Sequence, residues 1–593
     1  MDKSLEKSLT QWLKSQQVAC GVFLKLSILF GLLNGVAIIG QAYCIARILQ
    51  QVIMQNMPMQ ASNIEFIALA GLLLLRAALA QVRERVSFEA AKRLRSDIRH
   101  AVLNKLVELG PVFIKGKPAG AWASLVFEQV EDLHDYYAKY VPQMMLAGFI
   151  PLLILVCVFP LNWAAGIILL ATAPLIPMFM ILVGMGAADA SRKNVKALAR
   201  LSGHFMDRLK GLQTVKLFHR GDAELSNIET ASEDFRSRTM SVLRLAFLSS
   251  AVLEFFAAVS IAVLAVYFGF SYLDHLDFGH YGVGISLFTG MFVLILAPEF
   301  FQPLRDLGTH YHAKAQAIGA AETLVELLDY QVEGHKAPDN SQFKVPFTAD
   351  AISIEAVDLE VFSLEGQRLL GPISFTLPAG EHWAIVGPSG AGKTSLLNAL
   401  LGFLPYKGSL NINQRALSSI ALSDWRRHLA WLGQDPQLFH GTVRDNVALA
   451  NPQLTDRQIM ALLEQANISD FVIQHAQGLD LMISDQSAGV SVGQAQRIAL
   501  ARALAQPAKL FLLDEPTASL DAQSEQFVLA SLQTAMQGAS GLTVTHRLDD
   551  LSAMDKVLVM DKGLIVQQGE VSGLLGCDGL LTQMLNQQQQ EVC

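Results

Sequence analysis

Two stretches of this chain carry residue types at spacings that could do chemistry on a phosphate. Gly387, Pro388, Ser389, Gly390, Ala391, Gly392, Lys393, Thr394 and Ser395 form a glycine-rich run ending in Gly-Lys-Thr-Ser, set between the strand-like HWAIV and the helix-like SLLNALLGFL. Glycines let a backbone fold its N–H groups around a phosphate, and the helix that follows adds positive potential at its first turn. Lys393 would reach the β and γ phosphates of a nucleotide, and Thr394 would ligate Mg²⁺. The second stretch is KLFLLDEP, in which an apolar run delivers Asp514 and Glu515 side by side. The carboxyl end of a buried strand is where an α/β sheet places its ligand contacts. There Asp514 can hold the Mg²⁺ shell while Glu515 polarises an attacking water. Alone, a strand-end acidic pair is more often a surface feature; beside a phosphate loop it reads as catalytic.

The elements that must position these residues lie after Ala351. Short β-rich runs (ISIEAVDL, HWAIVG, LFLLDE, LTVTH, KVLVMD) alternate with helical stretches, the pattern of an α/β domain with a mostly parallel core sheet. The segment 332–350 changes composition to Gly, Pro, Asp and Asn and reads as a linker, and the polar residues 587–593 form a tail. The expected nucleotide-binding domain is therefore 351–586.

Residues 1–331 are of another kind. The 593-residue chain is 52% hydrophobic and 17% charged, with 45 Lys and Arg against 53 Asp and Glu. Its mean hydropathy of +0.35 is too apolar for a wholly soluble or a disordered protein. The acidic balance argues against a nucleic-acid binder, which needs a basic surface. The five cysteines lack metal-ligand or CxxC spacing, so neither a disulfide framework nor a zinc site is implied. Apolar runs predict six membrane spans near 20–43, 64–82, 144–159, 163–186, 245–272 and 283–305. Lys and Arg crowd the connections between the second and third and between the fourth and fifth spans, while the opposite connections have none. Both termini and the nucleotide-binding domain are thus expected in the cytoplasm. The two basic connections read as helical continuations with breaks at Gly110–Gly120 and Gly203–Gly221, places for a transverse helix or simply a solvated charged face.

Val490-Ser491-Val492-Gly493-Gln494 followed by AQRIALARAL resembles the signature motif of ATP-binding-cassette (ABC) ATPases. Gln434 in WLGQDPQLF resembles the Q-loop glutamine, Ser519-Leu520-Asp521 the D-loop, and His546 in TVTHRL the switch histidine. Six spans followed by one cassette is the layout of an ABC exporter half-transporter. The resemblance implies a multidomain membrane protein: a six-helix all-α transmembrane domain followed by an α/β P-loop ATPase. It implies that two cassettes close head to tail, with Ser491, Gly493, Gln494 and Asp521 serving the composite sites. Gln434 would sense Mg²⁺ and His546 the γ-phosphate. The adenine-stacking aromatic is assigned to Phe362, because the usual tyrosine is missing from EVFSLEG. The signature departs from LSGGQ at Val490 and Val492, which puts in doubt the site on the partner's phosphate loop.

Longer stretches, among them GKPAGAWASLVFEQVEDLHDYYAKYVPQM and LAPEFFQPLRDLGTHYHAKAQAIGAAE, resemble the CydD-type family of half-transporters. That resemblance implies a heterodimer with a CydC-type chain in the bacterial inner membrane. It implies ATP-driven export of cysteine and glutathione in support of cytochrome bd and c-type cytochrome assembly, with haem also linked to the pair. The rival readings are a haem transporter of the same architecture and an ATP-gated regulatory protein that moves no solute. Charges inside the spans cost about 2.5–3.5 kcal/mol each at a helix centre and need a reason. Arg76 faces either a substrate carboxylate or a neighbouring helix; Glu254, Glu299, Arg305 and Asp306 carry the same two readings. Beyond the sixth span, Tyr311 and His312 are candidates for haem contact, against the plainer reading of a hydrogen-bonded interface histidine.

Overall fold

The computed structural model describes residues 3–175, 178, 197, 201, 205–206, 208–209, 211–273, 275–282, 284–331, 351–435, 437–483, 489–517, 520, 522–545, 551, 553–576 and 579–584. The linker 332–350, the tail 587–593, His546, Ser519, Asp521 and most of the fourth span beyond residue 175 lie outside the described residues. The chain divides into two compact units: Met1–Leu106 with Pro118–Tyr330, and Val107–Lys117 with Gln331–Cys593.

The described residues of the first unit form helices and the turns between them. An amphipathic α1 (Lys3–Gln16) precedes α2 (Gly21–Leu49), α3 (Asn63–Lys115), α4 (Val141–Val158), α5 (Trp163–Thr172), α6 (Gly221–Tyr272) and α7 (Leu287–Leu328). Among the described residues, five helical stretches are long and apolar enough to cross a membrane, and Trp163–Thr172 is a shorter apolar helix. At about 1.5 Å per residue, the 52 residues of α6 reach about 80 Å, more than twice the hydrocarbon thickness of a bilayer. The apolar spans therefore continue as polar helix, as expected for the basic connections. Apolar residues circle α2: Gly31 and Gly35 lie against Leu146 and Ile150 of α4, whereas Leu29 and Leu33 face outward. That is the pattern of a helix with protein on one side and lipid on the other. The corner at Pro160 is a turn closed by Asn162, whose Oδ1 accepts from the Ala165 N–H at 2.8 Å and whose Nδ2 donates to Tyr267 Oη at 2.9 Å.

At Gly110 the φ of 77° breaks α3, a left-handed value that glycine adopts without steric cost, and Pro111 follows. The segment after this kink belongs to the second unit, where Val112 packs on the hydrophobic core. Of the second expected break, Leu212–Leu217 forms a short helix.

In the second unit β1 (Ile354–Phe362), β2 (Arg368–Leu377), β4 (Tyr406–Ile412) and β5 (Arg415–Ala416) form an antiparallel sheet in the order β2-β1-β4-β5. The core sheet contains β3 (His382–Val386), β6 (Leu429–Leu432), β9 (Leu510–Asp514), β10 (Ser540–Val544), β11 (Lys556–Asp561) and β12 (Leu564–Gly569). A small hairpin-like pair, β7 (Gly441–Thr442) with β8 (Met482–Ile483), stands apart from both. The core order is β12-β11-β3-β10-β9-β6, parallel except for the β11–β12 pair. Every residue of β9 and β10 is buried, which is why those strands read as continuous apolar runs rather than alternating ones. The antiparallel sheet is an addition to the expectation: its strands have one exposed face and a broken alternation, so only β1 shows in the sequence.

Candidate functional site

The phosphate loop leaves the carboxyl end of β3 and enters α8 (Lys393–Leu400), so the sheet aims it at the crevice where α/β proteins bind ligands. Glycine is dictated by space at the exit: a Cβ on Gly387 would lie 2.1 Å from the Met560 carbonyl oxygen. Gly390 and Gly392 have φ of 81° and 94°, which folds the loop back on itself. Pro388, Ser389 and Gly390 are exposed, while Ala391 and Lys393 are buried. The buried Lys393 ammonium donates to the carbonyls of Gly387 at 2.7 Å and Pro388 at 3.0 Å. Burial lowers its pKa from the ordinary lysine value, and the nearby Glu515 and Asp514 carboxylates oppose that shift. Neutral carbonyls are weak partners for a cation, so the ammonium is poised to exchange them for a phosphate.

Two strands further along the sheet, beyond β10, β9 ends in Asp514, 3% exposed, and Glu515 follows with a φ of 52°. The Glu515 N–H donates to the Val544 carbonyl at 2.9 Å, which fixes the acidic pair to the end of β10. Thr394 Oγ1 donates to Asp514 Oδ2 at 3.0 Å, and Gln434 Nε2 to Glu515 Oε2 at 3.2 Å. Residues from 394, 434, 514 and 515 thus converge at the mouth of the loop. A hydroxyl and a carboxylate oxygen side by side suit Mg²⁺, which takes few protein oxygens and keeps phosphate and water in its other positions. No group of three or more His, Cys, Asp or Glu capable of holding a metal occurs among the described residues.

Ser491 caps α9 (Val492–Leu504) in a closed capping box: its N–H donates to Gln494 Oε1 at 2.8 Å and the Gln494 N–H to Ser491 Oγ at 3.2 Å. Ser491 and Val492 are both exposed at this helix start. Phe362 ends β1, and its ring face carries the Lys407 ammonium 4.9 Å from the centroid. Asp521 and His546 lie outside the described residues. Sequence reasoning missed Gln496, which is 1% exposed and whose Nε2 donates to the carbonyls of Glu515 at 3.2 Å and Pro516 at 2.8 Å. The available signal was a polar residue on the helix face otherwise formed by Ala499, Leu500 and Ala503.

Arg76, Glu254, Glu299, Arg305 and Asp306 each have a polar partner. Arg305 Nη1 donates to Glu254 Oε2 at 2.6 Å, and Asp306 accepts from Gln302 at 2.7 Å. Arg76 lies between Gln41 and Glu299. His312 is exposed and Tyr311 half-buried on α7. Asp277 and His280 form a pair at 2.9 Å within the loop that precedes α7.

Two family models match this chain: the ABC transporter transmembrane region over residues 24–295 and the ABC transporter model over residues 370–518. The chain is 53% identical over 592 residues to the glutathione/L-cysteine transport system ATP-binding/permease protein CydD of Escherichia coli (strain K12), covering 100% of both. It belongs to the CydD-type ABC exporter half-transporters. The half-transporter is also 31% identical over 507 residues to the glutathione/L-cysteine transport system ATP-binding/permease protein CydC of Bacillus subtilis (strain 168), covering 85% of this chain and 86% of that one. Its fold is similar to a bacterial Atm1-family ABC exporter with ATP bound, with a TM-score of 0.78 at 22% identity, over 96% of this chain and 98% of the other. An ABC exporter transmembrane domain is followed by an ABC ATPase domain, and ATP hydrolysis is coupled to transport.

Proposed function

We propose that this half-transporter pairs with a CydC-type chain and uses ATP to export glutathione and L-cysteine across the bacterial inner membrane, supplying thiols for cytochrome bd and c-type cytochrome assembly. The observation that carries the reading is the end-to-end similarity to a protein with that transport activity in its name. The basic connections support a cytoplasmic side for both termini and the ATPase unit. The boundary between transmembrane domain and ATPase falls in 332–350.

In the ATP site, the backbone N–H groups of 389–395 cradle the phosphates, and Lys393 exchanges its carbonyl partners for phosphate oxygens. Thr394, Asp514 and Gln434 would hold Mg²⁺, which neutralises phosphate charge when bound. Glu515 orients the attacking water and accepts its proton. His546 contacts the γ-phosphate, and Phe362 stacks on adenine. Ser491, Gly493, Gln494 and Asp521 meet the nucleotide held by the partner. ATP drives transport only by favouring the closed pair of cassettes over the open one, since equal affinity for both would shift nothing.

The test is uptake of labelled glutathione and cysteine by inverted vesicles that contain both chains. ATP-dependent accumulation is expected, and Glu515→Gln should stop it while ATP still binds; a wild-type pair that hydrolyses ATP without accumulating either thiol overturns the reading. A haem cargo is a second reading, carried by the exposure of His312 beside Tyr311, since an open imidazole can ligate iron. His312→Ala should then remove or shift the Soret band of haem added to the purified heterodimer, and an unchanged band removes that reading.

A further inference from the structure

Three helices of the membrane unit each bring one polar side chain to the same place: Gln41 from α2, Arg76 from α3 and Glu299 from α7. Arg76 Nη1 donates to Gln41 Oε1 at 3.0 Å, and Nη2 to Glu299 Oε1 at 3.4 Å. Arg76 interrupts the run LLLLRAALA and Glu299 follows VLILAP, so both charges are set within apolar helix, where they are expensive and mark solute pathways.

The arrangement is not a closed bridge between helices. Arg76 and Glu299 touch through one long contact and keep side-chain exposures of 36% and 30%. A guanidinium has five donors, and this one spends a single donor on each neighbour. Gln41 is only 6% exposed, yet its Nε2 has no hydrogen-bond partner among the described residues. A buried amide nitrogen without an acceptor is costly. Asn34, two helical turns earlier on the same face of α2, likewise leaves its Oδ1 buried and without a partner among the described residues. Spare donors for an anion and a carboxylate for a cation therefore stand within one cluster, and neither set is used up internally.

We propose that Gln41, Arg76 and Glu299 bind the zwitterionic α-amino-acid end of the exported solute. Arg76 and the Gln41 amide nitrogen take the α-carboxylate, and Glu299 takes the α-ammonium. This rests on the thiol-export reading and deepens it. Cysteine and glutathione share two features, a thiol and a free α-amino-acid end, and the cluster reads the second. One site can thereby accept solutes of different length, with the thiol left outside the recognition. Analogues altered at sulfur remain ligands, and analogues altered at the amine do not.

Competition against labelled glutathione in inverted vesicles holding the wild-type heterodimer tests this without any mutation. S-methylglutathione, with the sulfur capped, should inhibit within about threefold of unlabelled glutathione, while N-acetylglutathione, without the ammonium, should need at least about tenfold more. The reverse order overturns the assignment and leaves thiol export standing. Absence of any ATP-dependent glutathione uptake overturns both. Glu299→Gln should then narrow the gap between glutathione and N-acetylglutathione, because the ammonium has lost its carboxylate; an active Glu299→Gln transporter that keeps the wild-type gap also overturns it. If that variant does not fold, the wild-type series still decides.

Discussion

The ATPase unit and the membrane unit hold their cations in opposite ways. Around the phosphate loop the Asp514 and Glu515 carboxylates accept from the side chains of Thr394 and Gln434, whereas cations are held by backbone: Lys393 by two carbonyls six and five residues away. In the bundle they are held by other side chains distant in the chain, with Arg76 and Glu299 separated by 223 residues and Arg305 and Glu254 by 51. Backbone partners can be left for a nucleotide without unfolding anything. Side-chain partners across helices also join those helices, so releasing them changes how the helices are held. The difference teaches that the first site is ready for a ligand whatever the bundle does, whereas the second is tied to the arrangement of the helices themselves.

The sharpest break of this comparison is at the loop. Lys393→Ala should leave the ATPase unit folded, since only two carbonyl contacts are lost, and reduce hydrolysis at this chain's site by about 10²-fold or more. The measurement is ATPase rate in a heterodimer whose companion has a disabled phosphate loop, with thermal melting as the control for folding. A variant that melts as wild type and still hydrolyses at full rate removes Lys393 from the site. Gly387→Ala should do the reverse and act on folding. Its Cβ would meet the Met560 carbonyl at 2.1 Å, and the shift required costs about 3 kcal/mol, read as a lowered melting temperature.

The same contrast explains how far the sequence could be read. The phosphate loop and the acidic pair are local: each is a few residues long, and strand, loop and helix follow in order, so spacing carried the chemistry, while the signature helix showed through its resemblance to the family motif. The buried parallel strands were visible as apolar runs, and the long helices as apolar runs continuing into charged periodicity. The antiparallel sheet was mostly invisible, because β2 contains a proline and two half-buried or exposed positions at its start, and β4 has a single strongly apolar pair. Gln41 gave no signal at all. A glutamine in a membrane helix gains meaning only from the residue opposite, and Arg76 is 35 positions away. Polar pairing across helices is fixed by packing, which a single chain's periodicity does not encode.

Gln496 sharpens the comparison within the ATPase unit, because its side chain crosses from the signature helix to the acidic pair. Its amide fixes the carbonyls of Glu515 and Pro516, where the backbone of Glu515 sits at a positive φ. It acts as a positioning residue. Gln496→Leu should lower kcat about tenfold, the effect of loosening a reacting group by one or two buried hydrogen bonds, with KM for ATP nearly unchanged. A rise in KM with constant kcat would instead mean that it supports nucleotide binding.

The smallest expected effect tests whether local backbone pairing alone is worth much. Thr442 and Asp445 close a capping box at the start of the helix Val443–Ala448, and the Asp445 carboxylate accepts from the Thr442 N–H at 2.9 Å and from its hydroxyl at 2.7 Å. These bonds hold the Asp445 pKa below the ordinary aspartate value, the backbone bond first and the hydroxyl second. A carboxylate whose folded pKa is depressed contributes stability above its unfolded pKa, near 4, and that contribution is lost as pH falls through the folded value. Asp445 is exposed, so solvent screens the interaction and the contribution stays below about 0.5 kcal/mol. Asp445→Asn should therefore lower the melting temperature slightly at pH 7 and by less at pH 3, so that the two proteins converge in acid. A constant difference across that range would assign the effect to packing at the helix start rather than to the charge.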